Sequence, residues 1–530
     1  MNKIYNYLLL ACLLISSSAI VSAQEAEFVK LSKDYILNED GSQELRCNKE
    51  LKLFTHTAMN NTYGETFIIY NPNFQELKIH SSYTKQKDGT IIKAPENAFV
   101  EVLPRFATDA PAYNHLKEMV VVHTGLDLGC TIYLDYSILT KACYYPALDI
   151  DELIQETSPI RNYQITVSVP ESVQLNSLLY ASNSKATEQS ANGKKTYSWK
   201  LTNIPAASRM PFLPQNKENI PRLTANTFTD NKSALNVIDK QTTALNSMES
   251  ETYAQFITEN STSNQEKLDH IQKHIVKNIN TTFIPFEYAG YKFRSPDEVI
   301  RSAYGTEIEK TNLLNKMLNA VDIPSEVVIV YPSTIKSNKA GLAAIKQTAV
   351  KTTVDGKETF LSATSLTPLK PELRGELDDL FTLKGENLKI EKKPAIYNEK
   401  KEVQLDKASA QNGYIVYTLP ASNGIDKWYM GSLNSKRTDL FELPSALQEQ
   451  ITYTISIPEG AKLISSAEPI AVNTQYGKLS RTIKTNDNQI EVICSIELNK
   501  QQYNSKEYQE VRKLITEWSS NSYKQLVFKI

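Results

Sequence analysis

Between Ser295 and Val321 the chain spells two helix starts in close succession, and no other stretch restricts the fold as much. Ser295-Pro296-Asp297-Glu298 places a hydroxyl at the N-cap, proline at the first helical position and a carboxylate at the third. Gly305-Thr306 then forms a corner, with Thr306 suited to an N-cap and Glu309 completing a second capping box. Leu313, Leu314, Met317, Leu318 and Val321 follow at helical spacing on one face. Gly305 is expected to supply flexibility at the corner. A helix with one apolar face must bury it, so this stretch predicts a packed α-containing core in the middle of the chain.

Downstream, Gln347 to Val354 and Lys357 to Thr364 alternate as strands around Asp355-Gly356, a dipeptide suited to a type I′ hairpin turn. Phe286 to Pro324 also carries Pro-Asp-Glu-Val, Tyr-Gly, Leu-Leu-x-x-Met-Leu and Ile-Pro landmarks. On these residues the stretch resembles the core of the bacterial transglutaminase-like (papain-like cysteine hydrolase) superfamily. The resemblance implies amide chemistry, either peptide hydrolysis or acyl transfer between glutamine-type amides and amines. It also implies a nucleophilic cysteine that opens the central helix after a Gly-Asp pair, where the helix dipole favours thiolate. Here the run is Gly305-Thr306-Glu307, so Glu307 stands at the cysteine's place.

The family's histidine begins a later strand and its aspartate follows a short hairpin. Counted from the Asp355-Gly356 turn, Ala349 takes the histidine's place and Ser362 the aspartate's. No histidine follows His274, and no cysteine lies between Cys143 and Cys494. A triad needs imidazole to activate the thiol and carboxylate to orient the imidazole. The resemblance therefore implies a core without its catalytic groups. Tyr304, Glu307, Ala349 and Ser362 are expected to line the degenerate cleft, with no residue assigned to catalysis. Glu307 has a simpler explanation as well, because a carboxylate is stabilised in the first turn of a helix.

Residues 1–23 read as a secretory signal: Lys3 is the only charge, Leu8 to Val21 is mostly apolar, and Val21-Ser22-Ala23 fits a cleavage site. Leu9-Leu10-Ala11-Cys12 mimics a lipidation box, but Cys12 lies inside the apolar run rather than after it. No later stretch reaches membrane-spanning length. The expected location is outside the cytoplasm, periplasmic or at the cell surface of a bacterium. There disulfides are permitted, and Cys130 with Cys143 is the nearest pair among Cys47, Cys130, Cys143 and Cys494.

The length suggests about three domains. From residue 24 to 225 the pattern is β, with Asp40-Gly41, Asp88-Gly89 and Asn192-Gly193 as type I′ hairpin turns, and the turn density favours a β-sandwich. Lys87-Asp88-Gly89-Thr90, Gly125-Leu126-Asp127-Leu128-Gly129, Tyr197-Ser198-Trp199 and Asn203-Ile204-Pro205-Ala206 make it resemble a β-rich domain of unknown function that precedes transglutaminase-like cores in secreted bacterial proteins. Residues 226–250 read as a polar junction, and Glu251 to Ile279 as helix. The α+β core is expected over 240–370. A Pro- and charge-rich linker to Lys393 and a second β-sandwich-like domain over 394–530 complete a multidomain α+β chain. The strand Ile451 to Ile457 with Pro458-Glu459 echoes Ile165 to Leu175. Within 394–530, Ser505 to Trp518 reads as a short helix and Gln525 to Ile530 as a strand.

Lys and Arg total 58 against 60 Asp and Glu, so no basic field for nucleic acid exists. His270 and His274 have the spacing to share a metal, but no third ligand accompanies them, and the pattern requires neither metal nor cofactor. Three functions follow. The first is a secreted, non-catalytic protein binding a polypeptide, glycan or envelope partner. The second is an enzyme using residues outside the triad positions, either Glu307 with Glu309 or Cys130 with His123. The third is a structural component of the cell envelope.

Overall fold

The computed structural model describes residues 24–530 except 333, 336–338, 367–377, 389–393, 407, 409, 466 and 487. The signal read over 1–23 lies outside the described residues. The chain divides into two compact units. Unit 1 runs to Ala207 and adds Pro221–Thr229 and Thr282–Phe293; unit 2 holds Ser208–Ile220, Asp230–Thr281 and Arg294–Ile530.

Unit 1 is built from strands β1 (Ala26–Leu37), β2 (Gln43–Leu53), β3 (Glu65–Tyr70), β4 (Gln75–Lys85), β5 (Ile91–Lys93), β6 (Phe99–Val102) and β7 (Lys117–Val122). They are followed by β8 (Thr131–Thr140), β9 (Asp149–Leu153), β10 (Ile160–Pro170), β11 (Asn176–Tyr180), β12 (Thr187–Ala191), β13 (Lys194–Ile204) and β14 (Arg222–Asn226). Eight strands form one sheet in the order β12-β13-β10-β1-β2-β8-β4-β5, with β1 parallel to β10. Two three-stranded sheets, β11-β14-β9 and β3-β7-β6, complete the unit. Period-two alternation turns one face of the large sheet inward. Leu31, Leu51, Ile132 and Ile165 there pack with Ile150 and Leu223 of the first small sheet and with Ile154 just after β9. Leu134 packs with Ile68 and Val121 of the second.

The expected turns separate into two kinds. Asn192 and Gly193 both have positive φ, 52° and 73°, as type I′ requires. At Asp40-Gly41 and Asp88-Gly89 only the glycine is positive, at 83° and 95°. There the aspartate carboxylate instead accepts from the N–H two residues on, Ser42 or Thr90, and a longer loop closes around it. Asparagine tolerates the left-handed region, whereas these aspartates serve as side-chain acceptors in the turn.

Unit 2 opens with α1 (Asn231–Ala244), α2 (Met248–Ile257) and α3 (Asn264–Asn278). The stretch read as a polar junction is thus largely helix. Asp230 and Ser233 form its capping box, and Ala234, Leu235 and Ile238 bury its apolar stripe. Next come β15 (Asn280–Thr281), α4 (Pro296–Ser302), β16 (Tyr304–Gly305), α5 (Glu307–Asn319) and β17 (Ser325–Pro332). Strands β18 (Gln347–Val354), β19 (Lys357–Leu361), β20 (Asp378–Thr382) and β21 (Asn387–Leu388) complete the sheet β19-β18-β17-β20-β21. β20 comes from the stretch read as a linker, whose Pro368 and Pro371 lie outside the described residues. Its pairing with β17 is non-local, and charge content alone does not reveal it.

The remainder of unit 2 contains β22 (Ala395–Gln404), β23 (Tyr414–Thr418), β24 (Phe441–Glu442), β25 (Leu447–Ser456), β26 (Lys462–Leu463), β27 (Ile470–Thr474), β28 (Gly477–Asn486), β29 (Gln489–Leu498), β30 (Gln502–Tyr503), α6 (Ser505–Trp518) and β31 (Gln525–Lys529). β22-β25-β29-β28-β27 make one sheet and β23-β31-β26 another. Val511, Leu514 and Trp518 of α6 join Tyr453, Val492 and Ile496 in one core. Among the described residues no helix is long and apolar enough to cross a membrane.

Leu313, Leu314, Met317 and Leu318 of α5 pack fully buried against Leu268, Ile271 and Ile275 of α3 and Val350 of β18. Leu314→Ala should lower the stability of unit 2 by about 2–5 kcal/mol, read as a shifted urea midpoint.

Candidate functional site

The head of α5 is where the two capping boxes converge. Glu298 accepts from the Ser295 N–H at 2.8 Å, and Ser295 caps α4. Ala303, at φ 56°, ends α4 in the left-handed region and makes the turn into β16. Gly305 is therefore not the flexible point. A side chain there would meet Val299 at 3.1 Å and the Glu309 carboxylate at 3.3 Å, so its role is to leave room. Thr306 N–H donates to Glu309 Oε2 at 2.8 Å, closing the second box.

Glu309 is fully buried and serves Arg294 as well. Arg294 donates its backbone N–H at 2.9 Å and Nε at 3.2 Å to one carboxylate oxygen, and Nη2 to the other at 3.1 Å. Its guanidinium also reaches the Ser302 hydroxyl and the Tyr304 carbonyl, and lies 4.3 Å from the Tyr304 ring centre. Tyr304 is thus buried in this clamp.

Glu307, the residue at the cysteine's expected place, is half-buried in the first turn of α5. Its carboxylate accepts from the Thr348 N–H at 2.6 Å and from the Thr348 hydroxyl at 3.3 Å. The same hydroxyl shares a 2.8 Å hydrogen bond with Thr311. Thr348 of β18 therefore faces the helix head. Ala349 does not: it packs on the opposite face of the sheet with Val328, Val330, Phe360 and Leu380. β18 and β19 pair with Val350 opposite Leu361, so Ala349 and Ser362 fall opposite one another, turned away from α5. Ser362 Oγ bonds Thr364 and Ser365, and its carbonyl accepts from Gln272. Val350, Leu361 and Ala363 pack with α5 instead. The expected cleft positions thus need a one-residue correction in both strands, to Thr348 and Ala363. A hairpin is symmetric about its turn, so one miscount moves both partners to the wrong face together.

Lys310, one position beyond Glu309, is fully buried. Its ammonium donates to the Ile279 carbonyl at 2.7 Å and the Thr281 hydroxyl at 2.8 Å, both neutral acceptors. Burial pushes the amine down to about 8. Sequence pattern did not single out this residue, although a lysine within the apolar phase of α5 was the available signal.

The other candidates are held apart. Cys130 precedes β8 and Cys143 follows it, and a strand of that length spans about 33 Å, beyond disulfide reach. Both are free thiols, Cys130 buried and Cys143 exposed. Cys130 Sγ accepts from the Asp127 N–H, while His123 Nε2 bonds the Thr66 hydroxyl. Glu309 is fully engaged with Arg294 and Thr306, which removes the Glu307–Glu309 carboxylate pair. His270 Nδ1 bonds Ser261, and His274 Nδ1 bonds Asn278 while its ring lies 5.0 Å from that of Tyr253.

Two family models match the chain: a domain of unknown function, DUF3857, over residues 39–208, and another, DUF3858, over 414–528. Both have members of known structure. Among curated proteins none matches. Among solved structures, a protein from Parabacteroides distasonis called a "putative protease" is 53% identical, with a TM-score of 0.89 over 96% of this chain and 99% of that one. A "putative cysteine protease" from Cytophaga hutchinsonii is 14% identical, covering 42% of this chain and 76% of that one. Its TM-score of 0.20 is too slight to carry an argument.

Two outcomes test this geometry. Lys310 is charged in the unfolded chain up to the ordinary lysine range but loses its proton near 8 when folded. The unfolded state therefore binds more protons in between, and stability should rise by roughly 1–3 kcal/mol from about pH 8 to about pH 10. Denaturation of Lys310→Met across that window should lack this increment. Separately, Glu307→Cys combined with Thr348→His should give a thiol alkylated faster at mildly acidic pH than Glu307→Cys combined with Ala349→His. Equal rates would contradict the register.

Proposed function

The chain belongs to the family of the Parabacteroides distasonis protein, and we propose that it is an exported, protease-like protein that binds a polypeptide without cleaving it. The protease-like scaffold is the transglutaminase-like core that the Phe286–Pro324 landmarks suggest. The observation that carries the reading is the head of α5. In place of a thiol, Glu307 sits there with its carboxylate held by the N–H and hydroxyl of Thr348. No histidine follows His274 in the sequence, so no imidazole is available on β18 or β19. A fixed, half-exposed carboxylate suits a cationic group, such as a lysine or arginine side chain of an extended peptide. Tyr304, Ala349 and Ser362 are buried and do not line this surface. A glycan would find no stacking platform among these residues.

Removal of the triad roles costs several orders of magnitude in rate on any scaffold. The protein should accordingly produce no new amino termini from peptide mixtures, whether wild type or Glu307→Gln. Titration calorimetry should show a lysine-rich peptide binding the wild type about fivefold or more tightly than Glu307→Gln, with a glutamate-rich peptide binding neither. Peptide cleavage that disappears in Glu307→Gln would overturn the non-catalytic reading.

A further inference from the structure

The outward face of the large sheet in unit 1 is interrupted where β1 bulges. Along β10, Phe28 pairs with Ile160 and the next pair is Leu31 with Tyr163; along β2 the register shifts between Phe28 and Lys30. A bulge bends its strand and leaves the extra residue outside the ladder. The Asn162 side chain fills this lapse, donating Nδ2 to the Val29 carbonyl at 3.1 Å. Here the sheet face is hollowed into a cavity of about 400 Å³, with Lys30, Glu50, Asn162, Gln164, Lys200 and Thr202 in its walls. A second cavity of about 340 Å³ shares Lys200 and Thr202 with the first and continues to Asn183, between β11 and β12. Both volumes suit small-ligand sites, which span about 300–1,000 Å³.

The six polar residues of the first cavity alternate with Leu31, Tyr163 and Leu201, whose side chains lie in the core on the other face. Lys30 stands opposite Glu50, Asn162 opposite Thr202, and Gln164 opposite Lys200. Three other outward cations of this sheet have carboxylate partners: Arg46 with Asp135 at 2.7 Å, Lys195 with Glu188 at 2.8 Å, and Arg161 with Glu27. Lys30 and Lys200 differ. Among the described residues neither ammonium has an ion-pair or hydrogen-bond partner.

For Lys30 the geometry gives the reason. Glu50, its cross-strand neighbour, accepts instead from the Tyr133 hydroxyl of β8 at 3.0 Å, and the Tyr133 ring stacks on Tyr83 at 4.7 Å. The second Glu50 oxygen accepts no hydrogen bond among the described residues. Lys200 on β13 is three strand spacings from Glu50 on β2, about 14 Å along the sheet. An anionic group at Lys200 therefore does not meet the Glu50 charge at close range.

We propose that this groove binds an acidic oligosaccharide. Its acid groups meet Lys200 and Lys30, and its hydroxyls meet the Asn162 and Gln164 amides, the Thr202 hydroxyl and the open oxygen of Glu50. The groove lies on a sheet face rather than at an edge, so its backbone groups are largely spent in the ladder and offer an extended peptide no strand to pair with. What it presents is a set of side-chain ammonium, amide and hydroxyl groups, which match acids and alcohols in one ligand. A neutral sugar would leave both lysines uncompensated, and a simple anion would leave the amides and Glu50 unused. The site is independent of the head of α5, and either assignment can fail without the other.

Titration calorimetry of the full chain with trigalacturonate and a hyaluronan tetrasaccharide, against maltotriose, citrate and tetraglutamate, tests the proposal. At least one of the two acidic oligosaccharides should bind saturably at about millimolar concentration or below, with each of the three controls bound about tenfold more weakly or worse. Lys30→Gln combined with Lys200→Gln should weaken that oligosaccharide about tenfold or more while leaving the urea midpoint unchanged. Both side chains are exposed and make no contact that the fold needs. Absence of saturable binding by both oligosaccharides, any control bound as tightly as they are, or unchanged affinity in the folded double variant would each overturn the assignment.

Discussion

The ion pair of Arg294 with Glu309 is the contact on which the middle of unit 2 depends. The Glu309 side chain has no exposure and that of Arg294 only 14%, so both charges are removed from water and must satisfy one another. They do so with good geometry: three donors from Arg294 and the Thr306 N–H all reach one carboxylate. Breaking such a pair by removing one partner typically costs about 3–5 kcal/mol, because an uncompensated charge stays behind. Here the loss would spread further. Arg294 also holds Ser302 and the Tyr304 carbonyl, so the end of α4, the turn at Ala303 and the start of α5 are fixed by a single guanidinium.

That rigidity determines what Glu307 can be. With the first turn of α5 pinned by Glu309, the carboxylate two residues earlier has little freedom, and Thr348 meets it with a backbone and a side-chain donor. A thiolate at such a helix head gains from the dipole and from a neighbouring imidazole. A carboxylate gains from the same dipole without any imidazole. The helix dipole that would favour a thiolate at this position thus favours the Glu307 carboxylate as well.

The sequence revealed those features whose causes are local. Both capping boxes form as expected because each links residues three apart. The apolar stripe of α5 is buried as its spacing requires. What stayed hidden depends on distant partners. β20 was obscured by its charged surroundings and exists through pairing with β17. α1 reads as a junction because few apolar residues are needed to bury one narrow stripe. The strand register at Ala349 and Ser362 could not be set from the hairpin turn alone, since the correct assignment required knowing which face met α5. Lys33 and Lys49 were legible in principle, as charges in the inward phase of alternating strands. The phase of Lys33 is set by the bulge between Phe28 and Lys30 in β1, whereas Lys49 alternates in phase with Leu51 and Leu53 of β2.

The polar residues at the head of α5 have a positional logic that apolar packing cannot provide. Leu313, Leu314, Met317 and Leu318 bury a face of the helix, but hydrophobic contact is non-directional and tolerates sliding and rotation. Hydrogen bonds do not. Glu309 points to Arg294, Lys310 to the Ile279 carbonyl beside β15, and Glu307 and Thr311 to Thr348 on β18. These contacts leave the helix in three directions within its first two turns, and together they fix its rotation and its height. The arrangement is not free of penalty: among the described residues neither heavy atom of the buried Asn312 amide finds a hydrogen-bond partner, a cost of about 1–3 kcal/mol for each unsatisfied group. A core that accepts this burden yet gives Lys310 two acceptors and Glu309 four donors is organised for a unique placement of α5 rather than for maximal stability. On that argument, the polar contacts of the first two turns are what fix the helix head against β18.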